Sequence, residues 1–131
     1  MPNAAQTAQA YKQQQIMTAT PEGLTLMLYN GALKFITEGI EAMKQENYER
    51  CNDALIRAEN IVSEFRATLK MEYEVSHGMM ALYNYVYDCL VEGNMKEDVR
   101  KLEEAKEIMT ELRNTWHEAM KIARAERSVT Q

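Results

Sequence analysis

Y11-K-Q-Q-Q-I-M-T-A-T-P-E-G-L-T-L-M-L-Y-N-G-A-L-K-F35 is the stretch on which the reading of the fold turns. Its opening half is polar and glutamine-rich, with Tyr11, Ile16 and Met17 as isolated apolar anchors. Thr20-Pro21-Glu22 then reads as a helix start. Thr20 can cap, Pro21 suits the first helical position because no N–H is needed there, and Glu22 meets the positive end of the helix dipole. Gly23 stands where a glutamate would complete a capping box. Beyond it Leu24, Leu28, Gly31, Phe35 and Gly39 recur at alternating spacings of four and three, and Met27, Leu33, Ile36, Ile40 and Met43 widen the stripe. A helix apolar over so wide an arc needs more partners than one neighbour supplies. The stretch predicts a helical body that buries one face and offers another, with a mobile arm ahead of it.

Working outward, this first helix runs to about Gln45. A glycine inside a helix costs about 1 kcal/mol relative to alanine, so Gly31 and Gly39 predict close helix approach. Asn47 starts a second helix whose seam is Tyr48, Cys51, Leu55, Ala58, Val62, Phe65 and Leu69, spaced alternately three and four as in a bundle. Ala54 and Ile61 flank that seam, and the helix ends near Lys70. After the connector 71–75, Ser76 is the expected cap of a third helix. Its seam reads Met79, Leu82, Val86, Cys89 and Gly93, with Met80, Tyr83, Tyr87 and Leu90 as a second apolar row; Gly93-Asn94 is a stop signal. A fourth helix spans about Lys96–Glu126 with the seam Leu102, Ala105, Met109, Leu112, Trp116, Ala119 and Ala123. No run alternates apolar and polar residues around hairpin turn chemistry, so no sheet is expected. The expected fold is all-α: an antiparallel up-and-down helical bundle of four long helices with a mobile N-terminal arm or short extra helix. Residues 1–20 form the arm (1–10 reading as disordered), 21–126 the bundle and 127–131 a frayed tail.

A length of 131 residues suits one domain with its own core. The net charge of −5 argues against a nucleic-acid partner, which needs clustered Lys and Arg. The longest apolar-rich run, Leu24–Ile40, is interrupted by Asn30, Lys34 and Glu38, so membrane insertion is not expected. The first residues lack the basic and apolar regions of a secretory signal. A cytoplasmic location follows as an expectation, and with it reduced, buried thiols at Cys51 and Cys89.

Catalytic chemistry finds little support. Glu74 and His77 match the E-x-x-H spacing of carboxylate-bridged di-iron bundles, but such a site needs a second motif, and Asn114 stands three before the other histidine, His117. No nucleophile elbow, phosphate loop or dinucleotide glycine pattern occurs, and neither cysteine has a nearby histidine to act as base. No catalytic, cofactor or metal residue is assigned. Ten methionines mostly read as core filling, although methionine also suits adaptable interfaces. Met79, Met80, Tyr83 and Tyr87 make the third helix too wide for one seam. They are either a broad buried face or a groove that receives a partner helix. The candidate partner-binding residues are Tyr11, Ile16, Leu55, Ile61, Met79, Met80, Tyr83 and Tyr87. The arm anchors can pack back on the bundle as a lid or dock on another protein. A self-associating structural bundle without a client is the competing reading, and a homodimer is left open.

Three segments in order carry a family resemblance. Tyr11, Ile16, Thr18-Ala19, Pro21-Glu22 and L24-T-L-M-L-Y-N-G-A-L-K-F35 form the first; Ala81-Leu82-Tyr83-Asn84-Tyr85 the second; Leu112-Arg113-Asn114-Thr115-Trp116-His117-Glu118-Ala119 the third. In these the chain resembles the FliS family of flagellin export chaperones, from about Tyr11 to Lys121. It departs from the family at Met71-Glu72-Tyr73-Glu74, where many members carry glycines. The resemblance implies an antiparallel helical bundle that binds the disordered C-terminal segment of flagellin in surface grooves, prevents its premature polymerisation in the cytoplasm, and hands it to the cytoplasmic domain of the export gate protein FlhA. It further implies a role in that handover for the arm, with Tyr11 and Ile16 as the matching positions.

Overall fold

The computed structural model describes residues 3–10 and 20–130, and among these there are helices and turns and no strand. A short helix α1 covers residues 4–10, followed by α2 (Pro21–Lys44), α3 (Tyr48–Thr68), α4 (Glu74–Met95) and α5 (Val99–Thr130). Helix α1 replaces the disorder that composition suggested. Gln6 N–H donates to Asn3 Oδ1 (2.8 Å) and Asn3 N–H donates to Gln6 Oε1 (3.2 Å), a reciprocal capping box that supports the first turn. Tyr11 and Ile16 lie outside the described residues.

The four long helices form an antiparallel ring in which α2 packs on α3 and α5, and α4 packs on the same two. Two matching turns set this geometry. At the end of α2, Glu46 N–H donates to the Met43 carbonyl (2.9 Å) and Asn47 N–H to that of Ala42 (2.8 Å). At the end of α4, Glu97 N–H donates to the Asn94 carbonyl (3.4 Å) and Asp98 N–H to that of Gly93 (2.9 Å). Both are Schellman closures, and each places a glutamate in the left-handed region, Glu46 at φ 58° and Glu97 at φ 53°. The next residue then accepts from the start of the following helix: Asn47 Oδ1 from Arg50 N–H and Asp98 Oδ1 from Arg100 N–H. Gly93-Asn94 therefore stops α4 by turning after it, with the αL position taken by Glu97.

The seam of α3 runs as its spacing predicts, through Cys51, Leu55, Ala58, Val62 and Phe65, although Tyr48 is exposed. In α4 the buried row is shifted from the expected seam, and in α2 the widening residues rather than the front of the stripe are buried. Helix α2 buries Tyr29, Ala32, Ile36, Gly39, Ile40, Ala42 and Met43, and α4 buries Tyr83, Val86, Cys89, Leu90 and Gly93. Leu24 and Leu28 of the α2 stripe and Leu82 of the expected α4 seam are exposed instead. The cause is a stack of rings at the centre. Tyr29 and Phe65 lie 4.4 Å apart, Phe65 and Tyr83 5.4 Å, and the Tyr29 and Tyr83 hydroxyls share a 2.6 Å hydrogen bond. Each buried hydroxyl satisfies the other, which removes the cost of enclosing them.

Two helix ends also differ from expectation. Ser76 does not cap α4, which begins at Glu74 after Tyr73; its hydroxyl donates instead to the Lys70 carbonyl (2.6 Å) and ties the connector down. Helix α5 continues to Thr130 through the segment expected to fray. No glycine or proline interrupts it, and Arg127 in the last turn suits the negative end of the dipole.

A methyl group at Gly93 would lie 2.6 Å from Leu102 Cδ2 and 3.2 Å from the Asp98 carbonyl oxygen, whereas one at Gly78 would meet nothing within 4 Å. Gly93→Ala should therefore lower stability by roughly 1–2 kcal/mol despite its better helix propensity, and Gly78→Ala should raise it by up to about 1 kcal/mol; urea denaturation measures both. Burial, reinforced at Tyr29 by its Tyr83 hydrogen bond, pushes the phenol pKa of Tyr29 upward, and burial does the same to Tyr83. The folded state thus holds these protons to higher pH than the unfolded chain. Their contribution is complete below about pH 10 and declines above it, by at most about 1.4 kcal/mol per pH unit for each tyrosine. Denaturation midpoints across pH 8–11 should be flat and then fall, less steeply in Tyr29→Phe.

Candidate functional site

The structure divides the predicted partner-binding residues into three groups. Tyr11 and Ile16 are outside the described residues. Leu55 (0% exposed) and Tyr83 (2%) belong to the core, so their side chains are not available at the surface. Leu55 fills the space left by Gly39, and Tyr83 is held by Tyr29. Ile61, Met79, Met80 and Tyr87 are half-buried at the surface of the bundle. Tyr87 is engaged: the Arg66 guanidinium stacks 4.1 Å from its ring centre while donating to Asn84 Oδ1 and Ser63 Oγ, both at 3.2 Å.

An open apolar strip lies on α2, where Leu24, Met27 and Leu28 are 37%, 36% and 37% exposed. It continues toward α3. Gly31 leaves a notch beside Ile61, where a methyl group would come within 3.5 Å of Ile61 Cδ1, and Phe35 lies under Arg57 at 5.7 Å. Leu24, Leu28, Gly31 and Phe35 belong to the stripe that sequence spacing picked out on this helix. Periodicity held no sign that Leu24 and Leu28 face outward while Phe35 packs against the core, because a partner-facing row and a core-facing row repeat alike. A second open stretch lies on α4, at Leu82 and Tyr85. Tyr85 donates to the Glu104 carboxylate of α5; that hydrogen bond, helped by burial, pushes the phenol up to about 12.

At one end of the bundle, Thr20, which caps α2, Glu22 of α2, and Met120, Ala123 and Arg124 of α5 line a cavity of about 380 Å³. Trp116 Nε1 donates to the Glu22 carbonyl at 3.0 Å and fixes the start of α2 to α5. The chain carrying Tyr11 and Ile16 joins α2 at this cavity, since residue 19 directly precedes Thr20. Farther along the α2/α5 seam, Arg113 Nε donates to Asn30 Oδ1 (3.0 Å) and Lys44 pairs with Glu103 (3.6 Å).

Among the described residues no group of three or more His, Cys, Asp or Glu is placed to hold a metal ion. Cys51 and Cys89 are buried free thiols whose pKa values burial raises, which makes them poor nucleophiles. No helix among the described residues is long and apolar enough to cross a membrane.

A family model described as flagellar protein FliS matches residues 3–123. A Bacillus subtilis protein named flagellar secretion chaperone FliS is 43% identical over 118 residues, covering 90% of this chain and 89% of that protein. An Escherichia coli protein of the same name is 29% identical, covering 89% of this chain and 91% of its own. The same identity holds for a Vibrio cholerae relative, also so named, over 82% of this chain and 84% of its own.

The division between core and surface predicts opposite outcomes for the same chemical change. Leu24→Asp and Leu28→Asp should leave the melting temperature within a few degrees of the parent, because an exposed carboxylate stays hydrated. Leu55→Asp and Tyr83→Asp should cost several kcal/mol, enough to unfold a domain of ordinary stability. Thermal melts followed by circular dichroism separate the two pairs.

Proposed function

The chain belongs to the FliS family of flagellar proteins, and on that footing we propose that it is a flagellar export chaperone, a binding protein and not an enzyme, whose client is the C-terminal segment of flagellin. The observation that carries this reading is the open apolar strip Leu24–Met27–Leu28, continued by the Gly31 notch and Ile61. A disordered segment gives up conformational freedom when it binds, so it needs a long apolar surface to offset that cost. A strip of exposed side chains at helical spacing suits a client that becomes helical as it docks. The relatives named flagellar secretion chaperone support the same reading.

In this mechanism the bound chaperone masks the segment through which flagellin would polymerise, and so keeps the client export-ready in the cytoplasm. Delivery goes to the cytoplasmic domain of FlhA, with Tyr11 and Ile16 as the arm residues engaged there. Release needs no bond to be made or broken; a competing surface at the export gate suffices. Ile61, Met79 and Met80 remain surface candidates for client contact. Leu55 and Tyr83 act only indirectly, by holding the helices that present the strip.

Calorimetric titration with the C-terminal segment of the host's flagellin tests the proposal. It should show saturable binding at about one to one with a negative heat-capacity change from apolar burial. Leu28→Asp should weaken the affinity by roughly 10- to 100-fold, the effect of about 1–3 kcal/mol of lost burial and added desolvation. A folded protein that gives no heat at several temperatures, with a mass that rises with concentration, would instead establish self-association through this strip.

A further inference from the structure

Helix α2 is unevenly anchored. Its buried residues begin at Tyr29, and none from Pro21 to Leu28 is buried, Leu26 being only half-buried. Yet these first two turns carry Leu24, Met27 and Leu28, the open members of the strip. Local bonds keep the turns helical. Thr20 Oγ1 accepts from Gly23 N–H (3.1 Å), Leu24 N–H donates to the Thr20 carbonyl (2.9 Å), and the Thr25 hydroxyl donates to that of Pro21 (3.2 Å). None of these bonds leaves the segment, so none holds it against the bundle. Thr20 and Glu22 also border the cavity of about 380 Å³ shared with Met120 and Ala123 of α5. A helix end with so little buried area opens locally at low cost.

Trp116 of α5 reaches across to this segment. Its Nε1 donates to the Glu22 carbonyl at 3.0 Å while its ring, half-buried, packs on the core cluster. A backbone carbonyl has a second lone pair for such a donor. A neighbouring tie between the same helices, Arg113 Nε to Asn30 Oδ1 (3.0 Å), sits beside the buried Tyr29 and adds no hold to the turns before it.

We propose that Trp116 is a positioning residue for client binding: its indole N–H latches the first two turns of α2, and without the latch the segment that displays Leu24, Met27 and Leu28 opens. This rests on the chaperone reading and says what keeps its surface formed. A client that needs these side chains on one helix face binds only the closed form, so its apparent affinity falls in proportion to the closed fraction.

Native-state hydrogen exchange and titration with the flagellin C-terminal segment test this on the full chain, on Trp116→Phe and on Asn30→Ala. In the parent, the amides of residues 25–28 should exchange through a local opening that denaturant hardly affects, well ahead of core amides such as those of Val86 and Leu102. Phenylalanine keeps a ring in the packing and removes the donor. Losing a hydrogen bond of ordinary net strength makes the opening roughly fivefold more populated. Exchange at 25–28 should therefore quicken by about that factor and affinity should fall roughly two- to fivefold, with the melting temperature within a few degrees of the parent and core exchange unchanged. Asn30→Ala should alter neither affinity nor exchange at 25–28. If these amides exchange in the parent only through global unfolding, the latch does not exist, however Trp116→Phe folds. Undiminished affinity in Trp116→Phe, with the parent binding and Leu28→Asp weakened, overturns the inference and leaves the chaperone reading standing. A large fall in melting temperature with exchange quickened throughout the bundle also overturns it, because Trp116 then only stabilises the fold. Failure of the parent to bind the segment removes the chaperone reading and the positioning role together.

Discussion

The hydroxyl-to-hydroxyl contact of Tyr29 and Tyr83, with the Phe65 ring stacked against both, governs how the helices are turned. A buried phenol oxygen must find a partner, and here each finds only the other. That requirement sets the rotation of α2 and α4 about their own axes. With about 100° between successive residues, Leu28 is turned about a quarter of the circle away from Tyr29, and Leu24 and Met27 farther still. On α4, Leu82 turns away from Tyr83 in the same manner, and Tyr85 points nearly opposite. The apolar side chains that face solvent do so because a polar pair inside decides which row faces in.

This explains which parts of the fold were legible in the sequence. Helix α3 has one long apolar seam flanked only by short apolar stretches, so its periodicity had one dominant solution, and Cys51, Leu55, Ala58, Val62 and Phe65 are buried as expected. Helices α2 and α4 carry two rows each. Spacing shows that both rows are helical and cannot rank them, and the deciding term is a long-range contact between residues 54 positions apart in the chain. The same ambiguity misplaced the candidate site. By sequence Tyr83 is open to either a buried face or a partner groove, and its hydroxyl is the one that fits Tyr29; Leu24 and Leu28, read only as members of an apolar stripe, are exposed. Turn chemistry was legible in part. Asn47 as a cap follows from residue preference alone, whereas Glu97 in a left-handed conformation runs against it, and the repeated Schellman closure imposes it.

Polar contacts across the seams then fix register and leave the apolar strip open. Arg113 with Asn30, Lys44 with Glu103, Tyr85 with Glu104, and Asn94 with Asn52 each join two helices at the surface. The ion pair among them is exposed and contributes little to stability. Their geometric effect is larger. A helix pinned by directional bonds cannot rotate or slide to hide its neighbour's exposed leucines, so a surface that would gain by collapsing is kept available.

A protein that displays such a strip risks associating with copies of itself, and its charge opposes that outcome. The excess of acidic over basic residues gives a net charge of −5, which disfavours contact between like molecules at close range. Cationic groups stand along the strip itself: Arg57 lies over Phe35, and Arg50 pairs with Glu38 farther along the same seam. An apolar partner without strong net negative charge meets no such repulsion, while a second copy meets its own excess of negative charge. Selectivity for a client over self then follows from two terms that add: apolar area common to any partner, and a charge pattern that penalises only one of them.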